Sequence, residues 1–95
     1  MLRQIPIGYR IVNGKAVIDE NEAELIRSVF RYYLEGISLN GISEKTRIGN
    51  SHGGISAILT KRCYLGDRFY PAIVDAETFS RTTEEKERRA KNSTA

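Results

Sequence analysis

Leu65-Gly66-Asp67-Arg68-Phe69-Tyr70-Pro71-Ala72-Ile73-Val74-Asp75-Ala76-Glu77-Thr78-Phe79 is the stretch whose reading closes the fold. Its first part, together with Tyr64, is short and aromatic, which predicts a strand or extended segment over Tyr64 to Tyr70. Asp75 then stands where a helix N-cap belongs, with Glu77 and Thr78 in the first turn. The unit reads as strand, turn and helix. That last helix holds Phe79 and little else apolar. From Arg81 to Ala95 there is no large apolar residue. This end is expected to be a solvated, charged helix that frays near Asn92-Ser93-Thr94-Ala95.

Upstream of this unit the apolar residues recur at helical spacing. A helix is expected from about Glu20 to Glu35, capped by Asp19 or Asn21, with Glu20, Glu22 and Glu24 at the positive end of its dipole. Ile26, Val29 or Phe30, and Tyr33 form its core stripe, widened by Leu25 and Leu34. Gly36 is placed as the stop. Ser38 can cap a second helix, about Leu39 to Thr46, with Leu39 and Ile42 inward. A polar, glycine-containing link runs from Arg47 to Gly54. A third helix follows over roughly His52 to Lys61, with Ser51 as a plausible cap and Ile55, Ile58 and Leu59 as its buried face.

At the N-terminal end, Ile11-Val12 and Ala16-Val17-Ile18 flank Asn13-Gly14, the strongest short-range signal for a β-hairpin. The fold class is therefore α+β: an N-terminal β-hairpin, a three-helix helix-turn-helix-like core, a short strand and a C-terminal helix. Residues 1–80 form the domain and residues 81–95 the charged tail.

With 95 residues, 40% apolar and 28% charged, the chain fits one small globular domain. Its single Cys63 excludes an internal disulfide and suits a reducing compartment. Cys63 and the lone His52 cannot build a four-ligand zinc site, so no metal and no cofactor is expected. No apolar run approaches the length of a membrane span or a secretory signal.

The net charge of +3 is unevenly spread. From Asp19 to Glu35 the acids Asp19, Glu20, Glu22, Glu24 and Glu35 outweigh Arg27 and Arg31. From Ile37 to Val74 the bases Lys45, Arg47, Lys61, Arg62 and Arg68 outweigh Glu44 and Asp67. Positive potential thus lies on the middle of the chain, where a reader of nucleic acid would carry it. In a helix-turn-helix, one helix presents its N-terminal residues to base edges. Here those residues are Asn50, Ser51 and His52, then Ser56, all able to reach a base edge or a phosphate. Lys61 and Arg62 at the far end suit phosphates, and equally suit the negative end of the helix dipole. Arg68 has Asp67 beside it as an alternative partner. The five tyrosines read as core residues.

Enzyme chemistry finds little support. Asp67, Asp75 and Glu77 have no acid/base or metal spacing. Gly49 and Gly53-Gly54 do not form a phosphate-cradling loop. Ser51 and Ser56 stand near His52 in sequence, but a catalytic triad is a matter of geometry.

Taken in order, several segments resemble the recombinase domain of serine site-specific recombinases, the large serine integrases in particular. Ile5-Pro6-Ile7-Gly8-Tyr9-Arg10 is similar to the family's proline-glycine-tyrosine opening. Val17-Ile18-Asp19-Glu20-Asn21-Glu22-Ala23 resembles its acidic start to the first helix. Val29-Phe30-Arg31-Tyr32-Tyr33-Leu34-Glu35-Gly36-Ile37-Ser38 resembles the end of that helix. Ile58-Leu59-Thr60-Lys61-Arg62-Cys63-Tyr64-Leu65-Gly66 and Pro71 to Phe79 resemble its closing segments. The resemblance covers roughly residues 5–80. It departs in the link before the third helix, which is short here, with His52 near a position where the family often has Trp.

The resemblance implies double-stranded DNA as partner, and DNA recombination or integration as the process. In that family a separate resolvase-type domain carries the nucleophilic serine, so this chain is expected to bind DNA without cutting it. It implies a cytoplasmic protein of bacterial or phage origin, with a recombinase catalytic domain or a second copy as further partners. The alternative is a protein–protein module that regulates an intact recombinase through the first helix and the tail.

Overall fold

The structure is a computed structural model and describes residues 5–48 and 52–92. It opens with an antiparallel hairpin, β1 (Tyr9–Val12) and β2 (Lys15–Ile18). The register pairs Tyr9 with Ile18 and Val12 with Lys15. Asn13 and Gly14 hold φ of 52° and 77°, as a two-residue primed turn requires. Tyr9 and Ala16 are buried, whereas residues 10–15 are all exposed, so only the root of the hairpin joins the core.

Helix α1 (Glu20–Leu34) starts at Asp19, whose carboxylate accepts from the Glu22 N–H at 3.2 Å. It buries Ala23, Ile26, Val29, Phe30 and Tyr33. The stripe is narrower than expected: Leu25 is 38% exposed. The chain leaves α1 with Gly36 and Ile37 donating to the Tyr33 and Tyr32 carbonyls. Ser38 caps α2 (Leu39–Thr46) by accepting from the Gly41 N–H at 3.0 Å. Ile42 and Thr46 are buried there, and Thr46 spends its hydroxyl on the Ile42 carbonyl while accepting from the Ile48 N–H. Helix α3 (His52–Thr60) buries Ile55, Ile58 and Leu59 against α1 and α2. Each fully buried side chain of this size stabilises the fold by about 1.5–3 kcal/mol.

The expected strand over Tyr64 to Tyr70 is absent. A single 3-10 turn (Arg62–Leu65) stands in its place, followed by a reversal. The reason is local. Gly66 takes a φ of +96°, and the Asp67 carboxylate accepts from both the Phe69 and Tyr70 N–H groups at 2.8 and 2.7 Å. A short polar side chain that binds the backbone two and three residues on replaces a ladder with a turn. No strand among the described residues pairs with this segment.

What anchors the reversal is a knot of tyrosines. Tyr64 is fully buried and donates its hydroxyl to the Ile7 carbonyl at 2.7 Å. Its own carbonyl accepts from both Ile73 and Val74. The Tyr9 ring stacks at 5.9 Å on Tyr64, and its hydroxyl reaches the Pro71 and Cys63 carbonyls at 2.5 and 2.9 Å. The backbone at Gly8 passes so close that a β-carbon there would meet Ile73 Cδ1 at 2.7 Å.

Asp75 caps the last helix, α4 (Ala76–Asn92), accepting from the Thr78 N–H at 2.8 Å. Hydrogen bonding from Thr78, from its side chain first and its N–H second, holds the Asp75 carboxyl below the usual carboxylate range. The helix runs unbroken across position 80 and packs on α1 and α3. It is less solvated than its composition suggests. Thr82 is fully buried, and the Arg89 guanidinium lies 3.8 Å from the centre of the Tyr33 ring while donating to the Tyr33 carbonyl at 2.8 Å. Arg89 thereby satisfies a carbonyl in the last turn of α1 from a different helix.

Candidate nucleic-acid interface

Helix α3 turns three apolar residues inward, and the same periodicity turns Ala57 and Thr60 outward, both exposed. Ser56 lies on the flank, half-buried, 3.3 Å from the Lys86 ammonium on α4. The Thr60 hydroxyl folds back onto its own helix, 3.2 Å from the Ser56 and Ala57 carbonyls. Neither end turn of α3 carries a charge. Its outward face is therefore small and neutral, and a surface of this kind can come close to another backbone. Ala57 and Thr60 were not among the sequence-predicted contacts. Helical spacing opposite Ile55, Ile58 and Leu59 was the signal for them, hidden because neither is charged.

The charge flanks α3 in the chain rather than standing on it. Lys61, exposed and extended (φ −79°, ψ 111°), leads out of the helix into the 3-10 turn, whose first residue is the exposed Arg62. Arg68 is exposed in the Asp67 turn, and Phe69 beside it is 48% exposed. Before α3 in the chain, Lys45 is exposed near the end of α2, its ammonium 5.6 Å from the centre of the Tyr32 ring. Arg47 caps α2 in the left-handed conformation, φ 60° and ψ 23°. Asn50 and Ser51 lie outside the described residues. His52 is the first residue of α3.

Pairing separates these cations from the arginines of the two long helices. Every arginine of α1 and α4 has a carboxylate within 4.0 Å: Arg27 with Glu24, Arg31 with Glu35, Arg81 with Glu77, and Arg88 and Arg89 with Glu85. Glu85, bridged by both arginines, titrates below the usual glutamate range because of them. Lys45, Arg47, Lys61, Arg62 and Arg68 make no such pair among the described residues. Arg68 makes no ion pair with the neighbouring Asp67, whose Oδ1 accepts from the backbone of Phe69 and Tyr70. An unpaired guanidinium keeps its full charge for an incoming phosphate, whereas a paired one must first break an ion pair.

Other chemistries find little footing. Burial pushes the Cys63 thiol up, away from the reactive thiolate. Among the described residues no three His, Cys, Asp or Glu side chains gather as metal ligands. No helix among them is long and apolar enough to cross a membrane. An open cavity of about 460 Å³ between α1 and the start of α4 is lined by Arg27, Arg31, Ile73 and Asp75, and contains none of the predicted contacts.

No family model matches the chain, and no curated protein matches it. Solved structures do. A chain of "Crystal Structure of a LSR-DNA Complex" superposes with a TM-score of 0.80 at 19% identity, over 100% of this chain and 36% of that one. A chain of "Sequence Requirements of the Listeria innocua prophage attP site" superposes with a TM-score of 0.81 at 22% identity, over 97% of this chain and 46% of that one. The protein thus has the fold of one part of two longer chains, and spans less than half the length of either.

Proposed function

We propose that this chain is a duplex-DNA-binding domain of the serine-recombinase type, serving site-specific recombination or integration without cleaving DNA itself. The observation that carries the reading is the set of exposed, unpaired cations, Lys45, Arg47, Lys61, Arg62 and Arg68, in the segments that precede and follow α3, whose own outward face is small and neutral. The fold shared with chains of an LSR–DNA complex and of an attP-site structure supports it. So does the ordered set of segments that resembles the recombinase domain.

On this reading α3 approaches the groove. Its small residues permit close contact, and residues 50–52 with Ser56 offer polar groups to bases. Lys61, Arg62 and Arg68 grip phosphates on one side, and Lys45 and Arg47 on the other. The DNA-contacting unit lies in residues 1–80. Residues 81–92 brace it through Thr82 and Arg89, while Lys86 reaches Ser56 on the flank of α3. Strand cleavage belongs to a separate catalytic domain. The protein works in the cytoplasm of a bacterial cell, from a bacterial or phage-derived gene.

Titration of a labelled mixed-sequence duplex at several salt concentrations tests this. Affinity should fall steeply with salt, and Lys61→Ala with Arg62→Ala should weaken binding to every sequence alike. Binding that ignores salt, or self-association with no DNA shift, would favour a protein-binding module instead.

A further inference from the structure

The hairpin is a second positive surface that the helix-centred reading leaves unused. No acidic residue occurs from residue 1 to residue 18. Arg10 and Lys15 are exposed and make no ion pair among the described residues. Residues 10–15 stand clear of the core, and two of them are apolar: Ile11 is 40% exposed and Val12 38%. The root, by contrast, is fixed. Gly8 donates to Glu22 at 2.9 Å and accepts from Asp19 at 2.9 Å, while Tyr9 is 1% exposed. This is a ribbon held rigidly at one end and unpartnered along the rest.

Its position follows from the tyrosine knot. Tyr9 bonds to the Cys63 and Pro71 carbonyls, and its ring lies 4.8 Å from that of Tyr70. Arg10 follows Tyr9 directly, Arg62 precedes Cys63, and Arg68 stands two residues before Tyr70. Arg10, Arg62 and Arg68 thus each stand within two residues of a member of this knot, and Lys15, paired opposite Val12, shares the face of the ribbon that Arg10 takes.

We propose that the β1–β2 hairpin is a second duplex-DNA contact, in which Arg10 and Lys15 bind phosphates as an extension of the Arg62–Arg68 side of the domain. The inference rests on the DNA-binding reading and adds an element to it. Charge complementarity selects the occupant, a surface with cations and no acid. A two-stranded ribbon is narrow enough for the major groove, where exposed Ile11 and Val12 meet sugar or thymine methyl groups. Lysine on a strand edge also discourages edge-to-edge pairing, and that rival makes a different forecast.

The experiment measures the slope of log affinity against log salt for the wild type, for Arg10→Ala/Lys15→Ala and for Lys61→Ala/Arg62→Ala, with the oligomeric state followed by light scattering. Each lost phosphate contact lowers the slope by about 0.9, so the hairpin double variant should lose about 2 units and remain monodisperse. Arg10→Lys/Lys15→Arg, which keeps both charges, should restore the slope. A wild-type slope in the hairpin variant beside a lowered one in the α3 variant would overturn the proposal and leave the DNA-binding reading standing. Aggregation of the hairpin variant with an unchanged slope would also overturn it and assign the cations to edge protection. No salt-dependent binding by the wild type would end both readings together.

Discussion

The two long helices, α1 and α4, and the segments around α3 carry similar numbers of cations and use them in opposite ways. On α1 and α4 the arginines are engaged by the fold's own carboxylates. Each meets a carboxylate, and Arg89 goes further by capping the Tyr33 carbonyl under cover of a ring. Around α3 the cations meet water. Exposed ion pairs contribute little stability, so the difference is not one of energy stored in the fold. It is one of potential: paired charges cancel within a few ångströms, whereas unpaired ones project a field that steers a polyanion. A net charge of +3 hides this, because it does not tell the arginines that meet carboxylates from the cations that do not.

The largest effect should come from swapping which set is neutralised. Changing Lys45, Arg47, Lys61 and Arg62 together to Ala should remove about 3–4 units from the salt slope, worth about 5 kcal/mol of affinity at 0.1 M salt. Unfolding in urea should move by less than about 1 kcal/mol, since all four are exposed. Changing Arg27, Arg31, Arg81 and Arg88 to Gln removes the same formal charge and should leave the slope close to the wild-type value. Equal losses in the two variants would show that net charge alone drives binding, and the contrast between the regions would collapse.

Much of the scaffold was legible because it is written in backbone chemistry. Asn13-Gly14 demanded a turn, and Asp19, Ser38 and Asp75 each sat one residue before a helix they cap. What stayed hidden depends on partners that periodicity does not report. Aromatic content argued for a strand over Tyr64 to Tyr70, yet Asp67 spends its carboxylate on its own backbone and a strand has nothing to pair with. The tail looked solvated because Thr82 and Arg89 score as polar, although a methyl group and a stacked guanidinium pack well. At the interface the positions of the cations were readable, but their pairing was not. Neither were Ala57 and Thr60, whose part in the proposed interface lies in what they lack.

The tyrosine knot links the unpaired region to the rest, and Tyr9→Phe tests how firmly. The variant leaves the Pro71 and Cys63 carbonyls without their hydroxyl donor, which should cost about 1–2 kcal/mol in urea unfolding at neutral pH. Burial, before any nearby charge, holds the Tyr9 hydroxyl well above the ordinary tyrosine value. As pH rises past about 10, the unfolded chain therefore ionises first and the wild type loses stability. The variant lacks that group, so its loss over the same range should be shallower. Parallel pH profiles would mean that Tyr9 is not the hydroxyl shielded by the fold. DNA affinity at neutral pH should change little, because the Phe ring preserves the stack against Tyr64.

Arg47 offers the smallest effect and the most discriminating sign. It ends α2 with φ 60°, a conformation that a residue with a β-carbon adopts at a cost of roughly 1 kcal/mol and that glycine adopts freely. Helices commonly stop on glycine for this reason. An arginine here gives up stability, and the side chain it presents is exposed and unpaired. Arg47→Gly should thus move two measurements in opposite directions. Unfolding free energy should rise by about 0.5–1 kcal/mol, and the salt slope of DNA binding should fall by about 1. Arg47→Asn, which tolerates the same backbone without the charge, should show the loss of slope with a smaller gain in stability. A gain in stability with no change in slope would remove Arg47 from the interface and leave the strain without a purpose in binding. A loss of stability would mean that the aliphatic part of Arg47 contributes more to packing than the left-handed backbone costs.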